Sequence, residues 1–163
     1  MAKKKKQTDG KKERKSPRII NRKARHEYHI SEVVECGMEL VGTEVKSLRA
    51  GHGKIDEAYA RIDRSGETFL IGANISLYPQ AADGMQHDPT RKRKLLLHRR
   101  QIHQLEVHLR QKGKTLVPLA IFFKGGWAKC ELGIAEGKKA YDKRDAIRKR
   151  QQQRDIAREM RRR

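Results

Sequence analysis

From Tyr28 onward, apolar and polar side chains alternate. Tyr28, Ile30 and Val34 share one parity, and the alternation continues through GMELVGTEVKSL, residues 37–48. A period of two places one face of a strand in a core and the other in water. Gly37 and Gly42 interrupt the run and predict a bend or bulge, as a tightly curved small barrel requires. AYARID, RSGE and TFLIGANISL then predict a hairpin turning on Ser65–Gly66. TLVPLAIFF and WAKCELGIA predict a second hairpin, joined at Lys124–Gly125–Gly126, where a tight primed turn needs positive φ. Between the hairpins lies a polar loop, YPQAADGMQHDPTRKRK. The segment after it, LLLHRRQIHQLEVHLRQKG, reads as a helix: Leu97, Ile102, Leu105 and Leu109 fall near helical spacing and Gly113 is a natural stop. Its apolar stripe should cover the barrel mouth. GHGK, residues 51–54, is expected to be a flexible loop following the strand TEVKSLRAG. The expected fold is mainly β, a small antiparallel OB-like barrel with flanking short helices.

The pattern stops at both ends. Residues 1–18 have no apolar periodicity and are expected to form a disordered basic arm, leaving 19–135 for the barrel. In residues 136–163 the larger apolar groups are Tyr141, Ile147, Ile156 and Met160, which do not form one stripe. Good helix formers without a packing face predict a conditional helix, disordered alone and ordered on a partner.

Charge shows what kind of partner. The net charge is +20, and residues 1–25 hold twelve basic and two acidic side chains, residues 136–163 twelve and five. A nearly balanced middle between two basic arms points to a polyanion. A membrane-binding basic helix would need an apolar face that neither arm has. No apolar run suits a spanning helix, and the lysine-rich start lacks the apolar core of a secretory signal, so cytosol is expected. Cys36 and Cys130 lack metal-like spacing and read as small buried residues.

Candidate chemistry is sparse. His98, His103 and His108 are five apart and rotate away from one another on a helix, so no metal is expected. GHGK lacks the upstream glycine of a phosphate loop and has Ile55 where Ser or Thr belongs. No serine lies in a nucleophile elbow. Neither a cofactor nor a catalytic site is expected. Glu35 is read two ways, as a turn residue in a salt bridge or as an acceptor for base or ribose donors. With no DNA-recognition motif, looped or single-stranded RNA is the expected polyanion. The aromatics are few and mostly assigned to the core, so backbone recognition should outweigh base stacking. A structural ribosomal protein would share the basic arms and small core; an RNA-processing enzyme would need a catalytic cluster.

Several blocks occur together: NRKARHEYHI (21–30), GTEVKSLRAG (42–51), GANIS (72–76), DPTRKRKLLLH (88–98), LVPLAIFFK (116–124) and GKKAYDKR (137–144). In order and spacing they resemble the small protein B family, bacterial transfer-messenger RNA-binding proteins of trans-translation. The resemblance implies an OB-like monomer that binds the tRNA-like domain of that RNA. It would deliver the RNA to stalled ribosomes with the elongation factor that carries aminoacyl-tRNAs. By motif, Asn21, Glu35, Leu96 and Lys129 correspond to the family's RNA-binding surface, and Arg22, Arg25, His26, Lys46, Arg49 and Lys94 extend it. Gly137, Lys138 and Lys139 would open the tail; Tyr141, Asp142, Lys143 and Arg144 would meet small-subunit rRNA at the decoding centre, with the rest in the empty mRNA channel. Some relatives carry Trp where this chain has Gln152.

Overall fold

The computed structural model describes residues 17–82 and 84–162; most of the basic arm expected over 1–18 therefore lies outside the described residues. The strands are β1 (Ile19–Ile20), β2 (Tyr28–Met38), β3 (Gly53–Lys54), β4 (Tyr59–Ile62), β5 (Thr68–Ile71), β6 (Asn74–Ile75), β7 (Arg93–Leu96), β8 (Lys114–Lys124) and β9 (Trp127–Gly137). The helices are α1 (Ala24–Glu27), α2 (Gly42–Arg49), α3 (Arg99–Leu109) and α4 (Ala140–Arg162). Six strands run antiparallel in the order β8-β4-β5-β7-β2-β9, and β9 pairs back onto β8. These six strands thus close into a barrel. β1 extends beside β8, and β3 with β6 forms a separate two-stranded ribbon.

Leu116 and Ile121 of β8, Leu132 and Ile134 of β9, Leu70 of β5 and Leu95 of β7 fill the interior, joined by Leu48 of α2 and Leu105 of α3. Each large aliphatic side chain buried this way contributes about 1.5–3 kcal/mol. Cys36 and Cys130 are cross-strand partners in the same core, and the Cys36 thiol donates to the Cys130 carbonyl at 3.3 Å. The Cys36 thiol contact and burial push the Cys130 thiol well above its ordinary range, so it stays a packed, protonated group.

Both hairpins lie where the glycines put them. Gly66 closes the β4–β5 turn at φ +77°, and the Asp63 carboxylate fixes it by accepting from Ser65 N (2.9 Å), Ser65 Oγ (2.6 Å) and Glu67 N (3.0 Å). Gly125 and Gly126, at φ +57° and +83°, turn β8 into β9 as the primed geometry demands.

Three expectations need correction. GTEVKSL is helix α2, not strand: its buried positions are Glu44, Ser47 and Leu48, an i, i+3, i+4 face. Two of those three are polar, so counting apolar residues finds no helical stripe. GHGK accordingly follows a helix, and Gly53–Lys54 is itself a strand. The start of LLLH is the end of β7, with Arg93 and Leu95 inward and Lys94 and Leu96 outward; α3 begins only at Arg99, after Gln101 Oε1 accepts the His98 N–H at 3.0 Å. Finally, the irregularities in the long strands lie at Ser31 and Leu119, where the pairing registers shift, and not at Gly37 or Gly42. The Ser31 hydroxyl donates to the Ile134 carbonyl (3.2 Å), and Asn21 occupies the other site.

The tail leaves the barrel at Gly137, the cross-strand partner of Tyr28. Lys138 ties it to α1 twice, through N–H to the Glu27 carbonyl and Nζ to the Arg25 carbonyl, both at 2.9 Å. Asp142 then accepts the Lys139 N–H at 3.3 Å in the first turn of α4, where a carboxylate suits the helix dipole. Tyr141, Ile156 and Met160 are exposed. Apart from half-buried Asp142, the described side chains of α4 lie in water.

Candidate nucleic-acid interface

The outer faces of β2, β7 and β9 meet α3 around a groove of about 760 Å³. Glu35, Lys94, Leu96 and Lys129 all line it, although they come from three strands. Strand alternation explains this convergence. Glu35 and Lys129 point outward on neighbouring strands, and Lys94 and Leu96 occupy the outward positions of β7. Gly37 pairs with both Lys129 and Leu96. A Cβ there would stand 3.2 Å from Leu96 Cβ, so the missing side chain lets half-exposed Leu96 lie across the strand.

Charge in the groove is paired but open to water. Lys124 Nζ donates to Glu35 Oε2 at 3.4 Å, and Lys129 Nζ stands 3.7 Å from Oε1. Glu35 also faces Glu131 directly across the strands, and Glu131 takes the Arg18 guanidinium, which lies over the Phe122 ring at 4.9 Å. Two like charges set opposite each other thus each carry their own cation. Of the two readings of Glu35, the structure has the salt bridge, in a strand and not a turn. Lys94 pairs with Glu67, whose carboxylate raises its pKa and keeps the ammonium charged.

The remaining candidate residues form two further groups. Arg22 and Arg25 are exposed and His26 half-buried on and before α1, beside the root of the tail at Lys138 and Lys139. Lys46 and Arg49 are exposed on α2, where they stack on Tyr78 (5.3 Å) and Phe123 (5.2 Å). Lys143 and Arg144 belong to α4, but their side chains lie outside the described residues. Asn21 is different. Only 3% exposed, it donates from Nδ2 to the Ile55 and Pro118 carbonyls and accepts the Ala24 N–H at 2.8 Å. It holds α1 and β8 in place and has no free surface.

One cluster went unnoticed in the sequence. Glu44, fully buried, accepts from Arg91 Nη2 (2.6 Å), Arg93 Nε (2.8 Å) and the Val41 N–H (2.9 Å). Arg93, also fully buried, spends its other donors on the Ala73, Arg91 and Pro89 carbonyls. His87 adds a bridge from the Ile75 carbonyl (3.1 Å) to the Thr43 hydroxyl (2.9 Å). Burial pushes the Glu44 carboxyl up, but the Arg91 and Val41 hydrogen bonds and nearby Arg93 outweigh it, so its pKa falls below the usual carboxylate range. This clamp fixes α2 and residues 87–93 to the barrel, and so sets where β7 and its Lys94 begin. Its sequence signal was the alternation inside TRKRK, which turns Arg93 inward and Lys94 outward.

A second cavity, about 420 Å³, is edged by Glu27, Asp56 and Glu57 with Lys23 and disfavours a phosphate backbone. Among the described residues, no group of three or more His, Cys, Asp or Glu side chains is arranged to hold a metal ion. No described helix is long and apolar enough to cross a membrane.

A closed β-barrel carried between basic arms, with lysines converging on one open groove, defines a small RNA-binding domain. The chain belongs to the SmpB protein family, whose model matches residues 18–162. It is 49% identical over 142 residues to the SsrA-binding protein of Microcystis aeruginosa, covering 87% of this chain and 92% of the relative. It is 51% identical over 144 residues to the SsrA-binding protein of Gloeobacter violaceus, covering 88% and 93%. A solved structure, "tmRNA-SmpB: a journey to the center of the bacterial ribosome", contains a chain 46% identical, with TM-score 0.66, covering 81% of this chain and 95% of that one.

Proposed function

We propose that this chain binds transfer-messenger RNA, the SsrA RNA for which its relatives are named, and accompanies it onto the ribosome in trans-translation. The observation that carries this reading is the convergence of Glu35, Lys94, Leu96 and Lys129 on one groove in a chain of the SmpB family. The groove meets the tRNA-like domain of the RNA, with the patches at α1 and α2 adding phosphate contacts. Asn21 contributes by holding α1, and therefore Arg22 and Arg25, in register. Delivery to the stalled ribosome occurs with the aminoacyl-tRNA-carrying elongation factor, through the RNA and in the cytoplasm. The protein acts as a monomer and supplies binding surfaces, with no covalent step of its own.

The tail has the separate task of sensing the vacant mRNA channel. Its exposed face offers the barrel nothing to pack on, so α4 gains its stable order from ribosomal RNA, with Tyr141 stacking near the decoding centre.

Copurification at moderate salt, followed by sequencing of the bound RNA, tests the partner. One dominant RNA with a tRNA-like end is expected; stoichiometric sedimentation with all ribosomes and no separate RNA would instead indicate a ribosomal protein. Truncation after Ala140 should leave affinity for the isolated RNA nearly unchanged while abolishing peptide tagging on stalled ribosomes. Normal tagging by the truncated chain would remove the tail from the mechanism.

A further inference from the structure

Trp127 is the chain's single tryptophan, and it is 75% exposed. Its ring is open to a planar partner from solution. It opens β9 immediately after the Gly125–Gly126 turn, so its position is held by a short, tight hairpin. It borders the groove that holds Lys94 and Lys129. The cations that stack on rings among the described residues are Arg18, Lys46 and Arg49, on Phe122, Tyr78 and Phe123; none is on Trp127.

The groove behind the ring is not only a track for phosphates. Half-exposed Leu96 and half-buried Leu97 and Ile102 give it an apolar floor. At about 760 Å³ the groove has room for a planar base. A backbone-only site would need neither floor nor aromatic edge. Lysines at the rim supply the complementary charge for the phosphates on either side of a base.

We propose that the groove captures one unpaired nucleotide of the bound RNA, its base stacked on Trp127 over the apolar floor and its flanking phosphates held by Lys94 and Lys129. This rests on the RNA-binding reading of the groove and deepens it. Recognition here is then partly stacking, where the sequence expectation is that most aromatics are core and backbone recognition outweighs stacking.

The single tryptophan makes the test direct. Intrinsic fluorescence is followed while the full chain is titrated with the tRNA-like domain of transfer-messenger RNA and, separately, with a fully paired RNA duplex of equal length. The tRNA-like RNA should quench Trp127 strongly and the duplex should not. Trp127→Ala should weaken binding of the tRNA-like RNA about 5- to 150-fold, the range for loss of one base–aromatic stack. The salt dependence should stay unchanged, and Trp127→Phe should recover most of the affinity. Exposure of the ring keeps the fold intact in both variants. Native affinity in Trp127→Ala, equal losses in the Ala and Phe variants, or equal quenching by duplex would each overturn the stacking. Lys129→Ala separates the two levels of failure. If it weakens binding while Trp127→Ala does not, only the stacking is wrong. If neither weakens it, the groove is not the RNA site.

Discussion

Glu44 and Glu35 each stand between two cations, but Glu44 is sealed on the buried face of α2 against Arg91 and the equally buried Arg93, while Glu35 keeps 39% of its side chain in water between Lys124 and Lys129. The chemistry is nearly the same and the consequences differ. Removing one partner of a buried pair strands a charge and costs about 3–5 kcal/mol, whereas an exposed pair is worth about 0–1 kcal/mol. The clamp is therefore committed to shape. The groove's lysines can exchange a carboxylate for a phosphate without leaving either charge stranded. A binding surface in this fold needs charges that are cheap to re-partner, held on a scaffold whose own charges are not.

That contrast breaks most visibly at Glu44. Glu44→Ala should lower unfolding stability by about 3–5 kcal/mol in denaturant titration, with RNA affinity of the folded fraction little changed. A loss below about 1 kcal/mol would make the two glutamates equivalent. Acid sharpens the same point. Because the Glu44 pKa is depressed in the folded state, its stabilisation is fully present above the unfolded carboxylate's value of about 4.3 and is lost as pH falls through the lower, folded value. Acid unfolding of the native chain should therefore be steeper than that of Glu44→Gln, which has no carboxylate to protonate. Parallel curves would contradict the clamp. The smallest effect belongs to Glu35→Gln, which should change stability by no more than about 0.5 kcal/mol.

How legible each region was follows from where its partners lie. The hairpins were readable because the Ser65–Gly66 and Gly125–Gly126 turns state their own geometry locally. The groove residues could be named by family resemblance, but their meeting depends on outward alternation in three separate strands. For the clamp, the alternation in TRKRK could turn Arg93 inward but could not name its partner, because Glu44 lies 47 and 49 positions from its arginines. The clamp also hid α2, since a helix whose buried face is Glu44, Ser47 and Leu48 shows no apolar stripe. Asn21 lies in one of the matching blocks, yet every hydrogen bond its side chain makes is internal. Trp127 could not be told from the core aromatics in the sequence, because its exposure is set by its place just after the β8–β9 turn.

The central claim is that the groove, and not the clamp, carries the RNA. The most direct measurement is the salt dependence of affinity for the tRNA-like domain, native chain against Lys129→Ala, with unfolding stability recorded for both. The account predicts stability unchanged within about 0.5 kcal/mol, weaker binding, and a slope of log K against log salt that is shallower by about 0.7–0.9 for the lost phosphate contact. An affinity and slope identical to the native chain's would contradict it.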